Sequence, residues 1–205
     1  LPGIEWISEP LIACFIGRLV PYKGPDMLLE AAAPLLRSGK LRLDIIGDGP
    51  LMDDIKKIIA KESIDGSVEL HGWVPHQQLQ DIAIRSDIFT FPSIREFGGT
   101  SILETMALGL VPVIVDYGGP GDNIPDHVGF KLQMDSKRNI VQELRQVLTR
   151  ISDKPDQLLD MRRKGRDWIE QKYTWPQRAG QISEVYRWVL GQRDSRPQPF
   201  HWQSA

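Results

Sequence analysis

Hydrophobic positions along the chain fall into two alternating patterns. Short apolar runs at LIACFIG (11–17), LRLDIIG (41–47), VELHGWV (68–74), DIFTFPS (87–93), VPVIVD (111–116) and VGFKL (128–132) read as six strands. Between them, PDMLLEAAAPLLRSG (25–39), LMDDIKKIIAKES (51–63), HQQLQDIAIRS (76–86) and TSILETMALG (100–109) space their apolar residues as helices do, with Pro25 near a first turn. Near-continuous hydrophobicity in the strands is what a parallel sheet covered on both faces requires. Strands and helices that alternate through short connections predict an α/β fold with a doubly wound parallel sheet. In such a sheet ligands bind beyond the carboxyl ends of the strands.

From residue 136 the pattern turns helical only. NIVQELRQVLTRI, PDQLLDMRRKGRDWIEQKY and QRAGQISEVYRWVL follow one another, separated at Pro155 and Pro176. The basic cluster Arg162, Arg163, Lys164 and Arg166 shares its helix with Asp160, Asp167 and Glu170, and reads as a solvated face. Residues 191–205 are polar and proline-containing, which predicts a disordered tail. With no internal repeat or low-complexity linker before it, residues 1–190 read as one domain.

Bulk properties narrow the functional classes. The 205 residues are 41% hydrophobic and 25% charged with a net charge of −2, so no basic stripe points to nucleic acid. A single cysteine, Cys14, rules out an internal disulfide and fits a reducing compartment. No run of about 18 apolar residues is present to span a bilayer. The four histidines show no metal-ligand spacing, so no metal site is expected. No G-x-G-x-x-G, P-loop or G-x-S-x-G motif appears, which leaves dinucleotide redox, P-loop and serine-hydrolase chemistry unsupported. The chain opens LPGIEW without an initiating Met, and the expectation is a piece of a longer protein.

Candidate chemistry lies at the strand ends. Residues 95–116 read REFGGTSILETMALGLVPVIVD: Glu96 sits on a strand-to-helix loop, and Glu104 lies eight residues on, within the first turns of the helix. Gly98 and Gly99, then Thr100 and Ser101, open that helix. Such an opening presents free backbone N–H groups and a positive dipole end to a phosphate. Glu104 is then placed to accept hydrogen bonds from hydroxyls such as those of a ribose. Ser101-x-x-Glu104 is equally a capping box, in which Glu104 only reaches back to the helix start. After the first strand, GRLVPYKG (17–24) carries Arg18 and Lys23, two cations able to clamp a diphosphate or simply to be solvated. GDGP (47–50) reads as a turn or as a close approach to a ligand, DYGGPGDN (116–123) on its own supports only a turn, and Trp73 in HGWV either stacks on a base or packs.

Taken in order, GRLVPYKG, IIGDGP, LHGWV and FPSIREFGGTSILETMALGLVPVIV resemble the C-terminal, donor-binding half of retaining nucleotide-sugar glycosyltransferases of the two-domain GT-B fold, in the large group with a Glu-x7-Glu motif. The resemblance spans about residues 10–190. It implies that Arg18 and Lys23, on the loop from Gly17, bind the donor diphosphate and that Glu104 binds the ribose. It implies that Glu96 with Phe97 and Gly98 addresses the transferred sugar, that amides near Gly99, Thr100 and Ser101 touch the phosphates, and that backbone from Gly72 to Val74 meets the base. The motif departs at one place: Phe97 follows Glu96 directly, where the family has a small residue before Phe-Gly. The resemblance further implies a nucleotide sugar as substrate with no metal or other cofactor. It implies a preceding acceptor domain as partner, a last helix packed against that domain, and a cytoplasmic location with peripheral contact at the inner membrane face. By that account the chain alone transfers nothing. Another GT-B enzyme (phosphorylase or epimerase) and a non-catalytic ligand-binding module are the alternatives.

Overall fold

The computed structural model describes residues 5–197. Six strands, β1 (Leu11–Ile16), β2 (Leu41–Ile46), β3 (Val68–Gly72), β4 (Ile88–Phe91), β5 (Val111–Val115) and β6 (Phe130–Leu132), form one parallel sheet in the order β3-β2-β1-β4-β5-β6. The chain winds outward from β1 to β3, then crosses back and winds the other way from β4 to β6. Right-handed crossovers put the two sets of connecting helices on opposite faces. Thus α1 (Pro25–Arg37) and α2 (Met52–Glu62) pack together, joined by the later α6 (Lys137–Asp153). On the other face α4 (Thr100–Ala107) packs against α7 (Gln157–Lys172). The remaining helices are α3 (His76–Ala83), α5 (Gly118–Asn123) and α8 (Trp175–Val189). The fold is the expected α/β doubly wound sheet followed by C-terminal helices.

β4 and β5 are buried at every position, and Phe15, Phe89 and Phe91 meet within the sheet's core. Reversal of direction between β1 and β4 leaves a crevice at their carboxyl ends, because their outgoing loops diverge to opposite faces. The loop after β1 and the loop after β4 both border it.

Two helical details differ from the sequence reading. DYGGPGDN does not remain a turn: residues 118–123 wind into the short helix α5, with Tyr117 extended at its N-cap. Pro176 does not separate helices; it lies in the first turn of α8, where its missing N–H costs nothing. Pro34, by contrast, is interior to α1 and leaves the Glu30 carbonyl without its usual helical donor. Arg145 of α6 supplies one, with Nη2 2.8 Å from Glu30 O and Nε 3.3 Å from Ala31 O.

Arg162 also departs from the expected solvated face. It is 4% exposed and donates to the Trp6 and Ser86 carbonyls, beside the buried Asp87 at 3.4 Å. Asp87 in turn accepts the Ser8 and Ile12 amides at 3.1 and 2.8 Å. The pair therefore pins the incoming segment to the start of β1. Residues 191–197 follow α8 as a turn in which Gln192 N donates to Arg187 O, and Arg193 pairs with Glu184. The rest of the expected tail, 198–205, lies outside the described residues.

Candidate functional site

The crevice between β1 and β4 is bordered by the two loops that carry most of the candidate residues. After β1, Gly17 and Arg18 lead into Leu19, whose amide donates to Asp48 O at 2.9 Å, while Leu51 N donates to Leu19 O at 3.1 Å. The glycine turn after β2 thus supports its neighbouring backbone. Arg18 is exposed and has no ion-pair partner among the described residues. Pro21–Lys23 form one 3-10 turn, and Gly24 in the left-handed region hands the chain to α1.

The β4 loop is locked to this turn. Ile94 N donates to Tyr22 O at 2.9 Å, and Ser93 Oγ donates to the same carbonyl at 3.2 Å. This brings Glu96 Oε2 to 3.4 Å from Lys23 Nζ, with both side chains about four-fifths buried (22% and 21% exposed). Lys23 Nζ also lies 5.1 Å from the Phe91 ring centroid, a cation–π contact with the end of β4. Glu96 Oε1 accepts the Phe97 amide at 3.3 Å. Tyr22, Lys23, Arg95, Glu96, Phe97 and Tyr117 line an open cleft of about 620 Å³. Phe97 is 96% exposed and points away from any core.

Gly99 caps α4 at φ +63°, a conformation that favours glycine, and makes no side-chain cap. Thr100 and Ser101 are therefore the first two helical residues, and Glu104 follows one turn further, exposed. The capping box does not form, because it would need Ser101 at the N-cap. Glu104 has no side-chain hydrogen bond among the described residues, and its carboxylate is open to a ligand. At the end of β3, Gly72 O accepts from Gly47 N at 2.7 Å, Val74 is half-buried against the core, and Trp73 is 76% exposed rather than packed.

The structure thus brings Lys23 and Glu96 into contact, and places Gly98, Gly99, Thr100, Ser101 and Glu104 along the same loop and helix. Gly17, Arg18, Gly72 and Val74 stand at neighbouring strand ends. Sequence reading passed over Tyr22, Arg95 and Tyr117; their position just beyond β1, β4 and β5 was the available signal. Cys14 has no part at neutral pH, since burial pushes its thiol up to about 12. His71, Asp44 and Glu69 gather on β2 and β3 without any spacing motif: His71 Nε2 lies 2.7 Å from Asp44 Oδ1, and its Nδ1 3.7 Å from Glu69 Oε1. Each ring nitrogen faces its own carboxylate, as in a strand-to-strand tie.

Comparison with known proteins shows the family and the fold. Residues 3–172 match the family described as Glycosyl transferases group 1. The phosphatidylinositol N-acetylglucosaminyltransferase GPI3 subunit of Saccharomyces cerevisiae is 27% identical over 179 residues, covering 87% of this chain and 39% of that protein. The chain therefore spans well under half the length of that relative. Among solved structures, HepE of Anabaena in complex with UDP and glucose superposes with a TM-score of 0.75 at 18% identity, covering 89% of this chain and 48% of that one. The C-terminal domain of the group 1 glycosyl transferase LpcC of Francisella tularensis gives 0.70 at 20% identity, covering 80% of this chain and 87% of that domain.

Proposed function

The chain belongs to the group 1 glycosyl transferases, and we propose that it is the donor-binding half of a retaining GT-B enzyme that moves a sugar from a nucleotide diphosphate to an acceptor held by a preceding domain. The observation that carries this reading is the crevice at the switch of strand direction. There Lys23 and Glu96 pair at 3.4 Å beside the open N-terminus of α4 and the uncommitted Glu104.

In this reading the nucleoside lies over Gly72–Val74, with Trp73 free to stack, and its ribose hydroxyls donate to Glu104. The diphosphate lies between Arg18, Lys23 and the amides of Thr100 and Ser101. When the anomeric C–O bond breaks, the electron pair leaves with the diphosphate and positive character grows on the sugar. Fixed cations and helix-terminal N–H groups stabilise that departing charge, and losing one such donor costs roughly 3–4 kcal/mol of barrier by analogy with oxyanion sites. Glu96, with Phe97 and Gly98, faces the sugar. The similarity to a UDP-binding structure favours UDP among the diphosphates. The acceptor, and any group the other half contributes, lie outside this chain, so it binds donor and transfers nothing alone.

Calorimetric titration with UDP, GDP and ADP tests the reading. One diphosphate should bind, and Glu104→Gln and Arg18→Ala should each weaken it about tenfold or more with the unfolding midpoint unchanged. Unweakened binding in both variants would remove the site from this crevice.

A further inference from the structure

The loop that carries Glu96 is held from outside the donor crevice. Gly119 of α5 is packed so closely on it that a Cβ there would collide with the Phe97 carbonyl, and one at Gly118 would stand 2.8 Å from Glu96 O. Asn123, at the other end of α5 and 6% exposed, donates from Nδ2 to Gly98 O at 3.4 Å. Pro120 closes the contact, its Cγ lying where a Cβ on Gly99 would come within 3.2 Å. Asn123 is itself fixed from α7, because Trp168 Nε1 donates to its carbonyl at 3.3 Å. Three successive backbone units, at Glu96, Phe97 and Gly98, therefore rest on one six-residue helix.

We propose that α5 is the seat that sets the sugar-facing geometry of the Glu96–Gly99 loop, with Gly119 and Asn123 as positioning residues; this rests on the donor-site reading above. A run of Gly118, Gly119, Pro120 and Gly121 is a poor helix former. The helix nevertheless forms where only bare backbone fits between it and the loop. The seat touches the loop at Glu96, Phe97, Gly98 and Gly99, whereas Arg18 and Glu104 hang from other elements. Disturbing it therefore separates sugar recognition from diphosphate recognition.

Gly119→Ala and Asn123→Ala test this, with the exposed Asp122→Ala as control. Two readouts are needed. Backbone amide NMR resonances of residues 97–99 should shift in both variants, with those of β4 and β5 unchanged. Affinity should be measured for UDP against UDP-glucose, GDP against GDP-mannose and ADP against ADP-glucose. For the pair that binds, the nucleotide sugar should weaken about tenfold and the diphosphate less than about twofold. Asp122→Ala should alter neither. Unmoved loop resonances, or equal weakening of sugar-bearing and bare diphosphate, would overturn the proposal. Absence of all nucleotide binding by the unsubstituted chain would instead overturn the donor-site reading, and the loop resonances would still decide whether α5 is the seat.

Discussion

Lys23 and Glu96 form a largely buried ion pair, intermediate between exposed pairs worth roughly 0–1 kcal/mol and fully buried ones whose breaking costs about 3–5 kcal/mol. Lys23→Met should cost about 1–2 kcal/mol in urea unfolding and weaken the bound diphosphate about tenfold by calorimetry; unaltered affinity would take Lys23 out of the clamp. Arg162 is at the buried extreme, and its guanidinium meets two carbonyls and Asp87 at once. Arg162→Met should cost about 3 kcal/mol or more in denaturant unfolding, because Asp87 is left buried without its cation. Its role was hidden by composition, since it stands in a cluster of four basic residues, Arg162, Arg163, Lys164 and Arg166. The signal lay in spacing: Leu158, Arg162, Gly165 and Ile169 recur on one helical stripe, and all four are buried. Glu104 was legible in kind but not in state. Ser101-x-x-Glu104 fits a capping box as well as a ligand site, and the left-handed Gly99 at the N-cap excludes the capping box.

At the scale of elements, periodicity located every strand and all helices but α5. Burial on both faces makes a parallel strand uniformly apolar, so the six runs stood out. Helix α5 was not legible, because its glycines serve the approach of another segment rather than local propensity. Strand order was equally beyond reading, since it depends on pairings between residues far apart in sequence, such as Ala13 with Ile88. Helix α1 was read straight through Pro34, correctly, yet what makes that tolerable sits on α6. Arg145 caps the carbonyl that Pro34 orphans. Arg145→Ala should therefore cost about 0.5–1.5 kcal/mol by denaturant unfolding, beyond the change expected for an exposed arginine. Restoring a backbone donor with Pro34→Ala should shrink that cost, and an undiminished cost in the double variant would refute the link.

For the whole molecule, the telling feature is α8. None of its residues is buried, and Trp175, Ile182, Tyr186, Val189 and Leu190 are 45–88% exposed. Trp188, at 37%, fares only somewhat better. Residues 175, 182, 186 and 189 recur at helical spacing, so the exposed apolar atoms form a face rather than scattered points. No helix among the described residues is long and apolar enough to cross a membrane. The chain spans 39% of its yeast relative, and the donor-half reading supplies a cover for that face in the preceding acceptor domain. In this chain alone, Ile182→Ser and Val189→Ser should each change stability by no more than about 0.5 kcal/mol, as exposed substitutions do. In a longer protein carrying both halves, the same changes should each cost about 1–2 kcal/mol, because the side chains are then removed from water. Denaturant midpoints of the four variants measure the difference. Equal effects in the short and long proteins would mean that α8 is not where the halves meet, and the two-domain reading would need another contact to hold the acceptor over Glu96.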